Sequence, residues 1–205
     1  MQEDTQTLAD ETAAQETGPG AEWLAEPVAP RQGQRVIAVA SGKGGVGKTN
    51  IVANMGIALT RFGHRVMLID TDFGMGNLEM MIGVGVTPKY NLTHVFSGKK
   101  QLQDVMMTGP CGVKMLPAGA GGKLSAPITL EAKREFMEEV RRERDIADIV
   151  LVDTRSGLSD NTLHFMTLAD EVILVTTPEP PSIMDSYGIV KILAQEREAT
   201  AMKLL

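Results

Sequence analysis

Ser41-Gly42-Lys43-Gly44-Gly45-Val46-Gly47-Lys48-Thr49-Asn50, SGKGGVGKTN, follows the apolar run Val36–Ala40 and leads into Ile51, Val52, Met55, Leu59 and Phe62 at helical spacing. A strand, a glycine-rich turn and a helix are thereby joined in that order. Gly42-x4-Gly47-Lys48-Thr49 fits the phosphate-binding P-loop pattern, in which glycines let successive backbone N–H groups turn inward around phosphate oxygens. The positive end of the helix starting near Gly47 adds to that cradle. Lys48 is placed to reach β- and γ-phosphates, and the Thr49 hydroxyl to ligate Mg²⁺. The pattern needs one lysine; Lys43 is a second that it does not explain.

Three further continuous apolar runs, Val66–Ile69, Ile149–Val152 and Val172–Val175, read as parallel strands covered on both faces. A fifth and weaker strand is Val113–Leu116, closed by Pro117. Helices are expected between them. The first ends at Gly63; Leu130–Arg144 is a charged surface helix with Phe136, Met137 and Val140 turned inward. A last helix follows Pro178, Pro180 and Pro181, with Ser182 and Asp185 at capping-box spacing and Ile189, Ile192 and Leu193 on its apolar face. Strands alternating with helices predict a doubly wound, mainly parallel α/β sheet with its site at the carboxyl ends of the strands.

The polar residues gather at those ends. The first strand runs into Ser41–Thr49, the second into Asp70 and Asp72, and the run Ile149–Val152 into Asp153. Asp153 is suited to hold Mg²⁺ through water. Asp70 and Asp72 flank Thr71; either both face the metal, or one polarises water while the other shapes the loop.

The extra lysine carries a resemblance. KGGVGKT (Lys43–Thr49) is similar to the deviant Walker A motif of the MinD/ParA group, and LIDTDFGMGNLEMMIG (Leu68–Gly83) resembles its switch I region. Within the group, GKTN (Gly47–Asn50) and the segment Ser159–Leu193 look most like the flagellar-number regulators FlhG and FleN. The similarity runs from about Arg35 to the C-terminus. It implies a P-loop NTPase of the SIMIBI, MinD-like type that binds ATP and Mg²⁺ over Gly42–Asn50 and hydrolyses ATP. It also implies an ATP-dependent homodimer in which Lys43 crosses to the other subunit's phosphates, as an arginine finger does. Position by position, Lys48 holds phosphate, Asp72 orients the attacking water, Thr49, Asp70 and Asp153 attend the metal, and Asn77 lies in the switch near the interface. Flagellar number or placement is the implied role, through an SRP-type GTPase or a flagellar transcription or assembly factor. A ParA-like partition or MinD-like division-site ATPase is the alternative. A nucleotide-binding interaction module that does not hydrolyse is the alternative of another class.

Departures from the group are as informative. Its DTPAG or DTGAG segment is here Asp153-Thr154-Arg155-Ser156-Gly157. Arg155 has three fates: outward to solvent, which is expected of a long charged side chain; to the γ-phosphate in cis; or holding the switch open. Members of the group also continue past the position of residue 205, with adenine-binding strands and, in MinD-like members, an amphipathic membrane helix. The chain is therefore expected to be shortened at its C-terminus. Ala199, Met202 and Leu205 give the last segment at most a feeble apolar face. The N-terminal motif by which flagellar members activate a partner GTPase is not found.

Composition narrows the classes that remain. The chain has 205 residues, enough for one domain with a sizeable core. Seven acids against one base, Arg31, in residues 1–34 account for the whole net charge of −6, so residues 35–205 are neutral. A neutral body carries no overall basic footprint for nucleic acid and little drive toward anionic lipid. A cytoplasmic protein, reaching the inner face of the membrane only through a partner, is expected. The acidic tail is predicted to be disordered, with Trp23 and Leu24 its only bulky apolar pair. Residues 35–205 then form one ATPase domain. No apolar run approaches the ~20 residues of a membrane span, and the polar N-terminus has no signal-peptide pattern. The single Cys111 leaves no intramolecular disulfide, which suits a reducing cytosol, and excludes a cysteine-held cluster of the nitrogenase-iron-protein kind. Two tyrosines, Tyr90 and Tyr187, are too few for the tyrosine-rich tail of a bacterial tyrosine kinase.

Overall fold

The computed structural model describes residues 33–85, 88–119, 127–196 and 201–205. The strands are β1 (Arg35–Ala40), β2 (Val66–Asp70), β3 (Met107–Thr108), β4 (Lys114–Leu116), β5 (Ile149–Asp153), β6 (Glu171–Leu174) and β7 (Ala201–Leu204). They form one sheet in the order β3-β4-β2-β5-β1-β6-β7, parallel throughout except for the β3–β4 pair. The helices are α1 (Lys48–Arg61), α2 (Leu78–Met81), α3 (Leu92–Phe96), α4 (Leu102–Val105), α5 (Leu130–Arg142), α6 (Asp160–Leu168) and α7 (Pro180–Glu196).

Successive strand residues point to opposite faces, and the core divides accordingly. Val36, Ala38 and Ala40 of β1 pack with Phe136 of α5, Phe165 and Met166 of α6, and Ile189 and Leu193 of α7. Ile37 and Val39 pack on the other side with Val52 and Ala53 of α1 and with Leu78 of α2. A sheet covered on both faces explains why its strands are continuous apolar runs. Each large side chain fully buried here contributes about 1.5–3 kcal/mol.

The expected doubly wound α/β fold is present, with several local differences. The five expected strands are joined by β3 and β7. The C-terminal segment, credited with at most a feeble apolar face, is an extended strand on the free edge of β6; Ala199 lies outside the described residues. Backbone pairing needs no apolar pattern, and all four residues of β7 are exposed. Gly63 closes α1 with φ 87°, but Phe62, expected on the inner stripe, is the C-cap and is exposed. α5 buries Phe136, Met137 and Val140 as expected, and Lys133 with them.

The capping-box reading of Ser182 and Asp185 is wrong. α7 already begins at Pro180, because a proline's missing N–H costs nothing in a first turn. Ser182 therefore lies inside the helix, where its Oγ accepts from the Thr177 N–H at 3.1 Å. Glu179 caps the helix instead, its carbonyl accepting from Ile183 N–H at 3.1 Å. Of the acidic tail, residues 1–32, with Trp23 and Leu24, lie outside the described residues. Gln34, assigned to that tail, is already part of the folded body: its Nε2 donates to the carbonyls of Val140 and Ala147.

Candidate functional site

β1 ends at Ala40 and the chain turns at once into Ser41–Gly47, with α1 starting at Lys48. Gly47 is the N-cap at φ 93°, a left-handed conformation that a side chain would disfavour. No acidic residue stands in the first turn of α1, so its free N–H groups keep their positive end for an anion. The turn is braced from outside. Gly157 N–H donates to the Ser41 carbonyl at 2.8 Å, and Ser41 Oγ donates to the Lys43 carbonyl at 2.8 Å. A Cβ on Gly42 would stand 2.3 Å from Cβ of Asp185, so only glycine lets α7 approach this closely. Gly44, Gly45 and Asn50 are exposed, and Val46 packs against the α1-side core.

The two lysines diverge. Lys48 acts electrostatically on the Asp153 carboxylate, and the Thr49 hydroxyl donates to that same carboxylate. Lys43 points the other way, its ammonium ion-paired with Glu179 between Pro178 and Pro180. Lys48, Thr49 and Asp153 are thus brought together, and Lys43 is kept apart from them.

Parallel pairing of β2 with β5 sets Asp70 directly beside Asp153. Both are buried, and burial is the main cause that raises both pKa values, Asp70 to about 7. For Asp153, the Thr49 hydrogen bond and the Lys48 charge oppose the rise, while Asp72 adds to it. For Asp70, backbone N–H donors oppose it, while Asp153 and Glu79 add to it. Asp70 Oδ1 accepts from Asp72 N–H at 2.9 Å and Oδ2 from Leu78 N–H at 3.3 Å, so both its oxygens shape the loop that follows β2. Asp72 Oδ1 accepts from the N–H groups of Gly74 at 3.3 Å and Met75 at 3.2 Å. Asn77 is exposed at the N-cap of α2 and makes no side-chain cap.

A divalent cation fits this set. Asp153 Oδ1 is buried without a hydrogen-bond partner among the described residues, beside the Thr49 hydroxyl and a second buried carboxylate. Unpaired buried acceptors of this kind are costly, and a cation would relieve them. Among the described residues no three His, Cys, Asp or Glu side chains group as a self-sufficient metal site. An ion arriving with phosphate oxygens and water as further ligands needs no such group.

Arg155 is exposed to solvent, the expected outcome for it. Its carbonyl accepts from Thr162 Oγ1 at 3.0 Å, while Asn161 Nδ2 donates to the Thr71 carbonyl at 3.2 Å. The first turn of α6 thereby ties the loop after β5 to the loop after β2. Sequence reading missed Glu179, Asn161 and Thr162. Ser159 followed by Asp160 was a signal for this helix start, and Ser159 does cap it.

The model of the family described as AAA domain matches residues 34–203. The antiactivator FleN of Pseudomonas aeruginosa is 38% identical over 171 residues, covering 83% of this chain and 60% of that protein. The flagellum site-determining protein YlxH of Helicobacter pylori is 35% identical over 165 residues, covering 80% and 55%. The solved structure of the septum site-determining protein MinD from Pyrococcus horikoshii, complexed with Mg-ADP, superposes with a TM-score of 0.71. It is 28% identical and is matched over 82% of this chain and 68% of that one. The chain thus spans 55% to 60% of the length of these two relatives.

Proposed function

Because this chain belongs to the MinD/ParA family of P-loop ATPases and is FlhG-like within it, we propose that it is an ATP-dependent dimerisation switch governing flagellar number or placement. The observation that carries this reading is the divergence of the two loop lysines. Lys48 faces Asp153 and serves its own subunit's nucleotide; Lys43, paired with Glu179 outside the cradle, is placed to serve another's.

In this account the N–H groups of Gly44–Thr49 and the Lys48 ammonium hold the β- and γ-phosphates of ATP. Thr49 and Asp153 would hold Mg²⁺, with Asp70 beside them as the organiser of the adjoining loop. The ion, when bound, neutralises charge on the phosphate oxygens. Asp72, anchored through one oxygen to Gly74 and Met75, turns the other toward a water and orients it for attack on the γ-phosphorus, with ADP as leaving group. On dimerisation Lys43 exchanges Glu179 for the partner's phosphates and stabilises charge that spreads over the transferring group. Asn161 and Thr162 carry the state of both loops into α6.

The names of two relatives support the partner classes: an antiactivator fits action on a transcription factor, and a flagellum site-determining protein fits a flagellar assembly factor. An SRP-type GTPase of the flagellar system is the other class that fits. No helix among the described residues is long and apolar enough to cross a membrane. We place the protein's work in the cytoplasm, with weak membrane recruitment unless a partner supplies it.

Light scattering with ATP, ADP and no nucleotide tests the switch. ATP should double the mass while ADP leaves it unchanged, because only the γ-phosphate supplies the bridging contact. The same mass in all three, with nucleotide binding confirmed, would sink the reading.

A further inference from the structure

α5, α6 and α7 line an open cavity of about 440 Å³ on the helical face away from α1. Its floor is the outer stripe of α6, including Asp160, Leu163 and His164; Leu130 and Arg134 of α5 and Ile192 of α7 complete the walls. None of these residues serves the nucleotide site described above.

Beneath the floor lies an unusual group. Lys133 is 2% exposed, and its ammonium sits 3.1 Å from Nδ1 of His164. With the ammonium charged, Nδ1 accepts from it and the ring proton sits on Nε2; burial lowers the Lys133 pKa, with Asp160 opposing. The imidazole that lines the cavity is therefore a fixed N–H donor with a buried cation behind it. Burial, followed by the charge of Lys133, holds the His164 pKa below its ordinary value, with Asp160 opposing and Arg134 adding to it. Arg134 enters no ion pair among the described residues. Among the lining side chains Arg134 is the cation and Asp160 the carboxylate, with Lys133 buried behind His164, while Leu130, Leu163 and Ile192 are apolar.

We propose that this cavity binds a small organic anion, a single carboxylate on a short apolar body, held by Arg134 and His164. The guanidinium fork suits a carboxylate bidentately, and the leucine and isoleucine walls suit hydrocarbon. The volume holds on the order of ten non-hydrogen atoms, taking each at roughly the ~30 Å³ of a liquid water. One carboxylate is favoured over a polyanion because Asp160 stands at the same rim. The site is independent of the ATP reading and stands or falls apart from it.

Titration of the whole chain with hexanoate, hexanol and inorganic phosphate, followed by calorimetry and by the NMR signals of the His164 ring, tests the proposal. Hexanoate should shift the His164 signals saturably, with hexanol and phosphate about tenfold weaker or worse at that ring. Arg134→Gln, an exposed substitution that leaves the core intact, should weaken hexanoate about tenfold. Reading the effect at His164 separates it from any phosphate bound at Gly42–Thr49. Hexanol or phosphate matching hexanoate, unchanged affinity in Arg134→Gln, or no saturation in the millimolar range would each overturn it.

Discussion

Lys43 and Glu179 form an ion pair that ties the first lysine of the phosphate loop to the cap of α7, 136 residues away in sequence. Both side chains are about half exposed, at 43% and 56%. An exposed pair of this kind contributes on the order of 0.2–1 kcal/mol. It is strong enough to park the lysine and weak enough to give it up when a phosphate cluster is offered.

Glu179→Gln should therefore lower the ATP concentration at which the dimer forms, by up to roughly fivefold, the equivalent of the upper end of that pair energy. Sedimentation across an ATP titration measures it. A variant that needs more ATP than the wild type would mean that Glu179 supports the dimer rather than restraining it.

Gly42→Ala should break the seat of the loop on α7. The new methyl would meet Cβ of Asp185 at 2.3 Å and its backbone carbon at 2.7 Å, so α7 must shift. Overpacking of this kind costs about 1–3 kcal/mol. Urea unfolding should show that loss together with weakened nucleotide affinity; unchanged stability and affinity would show that the contact is not held.

The buried pair Asp70–Asp153 makes a pH prediction. The Asp70 pKa is raised in the folded protein from 3.8 to about 7, so between those values the folded state binds a proton that the unfolded state has lost. Its penalty is absent below about pH 4, grows through the window, and is complete above about pH 7. Relative to Asp70→Asn, metal-free wild type should lose stability as pH rises from 4 to 7. Unfolding midpoints of both proteins across that range decide it, and a difference independent of pH would contradict the assignment.

The continuous runs of β1, β2, β5 and β6 were legible because a doubly covered parallel strand is apolar at every position. β3 and β7 were not: the first has two residues and the second is exposed at all four. α2, α3 and α4 are too short to show a period. The phosphate loop and the acids at the strand ends were legible because their chemistry fixes residue type and order. Glu179 and Asn161 were not, since each meets a partner far away in sequence through a contact that only the fold creates. The Ser182 misreading has a local cause: Pro180 and Pro181 were taken to precede the helix, whereas they form its first turn.

Arg155→Gly should leave ATP turnover within about twofold of wild type, because the side chain is turned to solvent, where long charged side chains contribute little. Steady-state hydrolysis measures this. A marked fall with binding intact would reveal a cis arginine at the γ-phosphate; a marked rise would mean that Arg155 holds the switch open.

The central claim is that Lys43 acts on the other subunit's nucleotide. Lys43→Ala alone should bind ATP yet turn over about 10²-fold more slowly, and Asp72→Ala alone should stay locked as the ATP dimer. An equal mixture of the two tests the claim most directly. In the mixed dimer the Lys43→Ala subunit keeps its own Asp72 and receives Lys43 from its partner, so one site becomes competent. Random pairing then restores roughly a quarter of wild-type hydrolysis in a two-fold dimer. Hydrolysis no greater than the mean of the separate mutants, with mixed dimers shown to form, would place Lys43 in its own subunit's site and contradict the account.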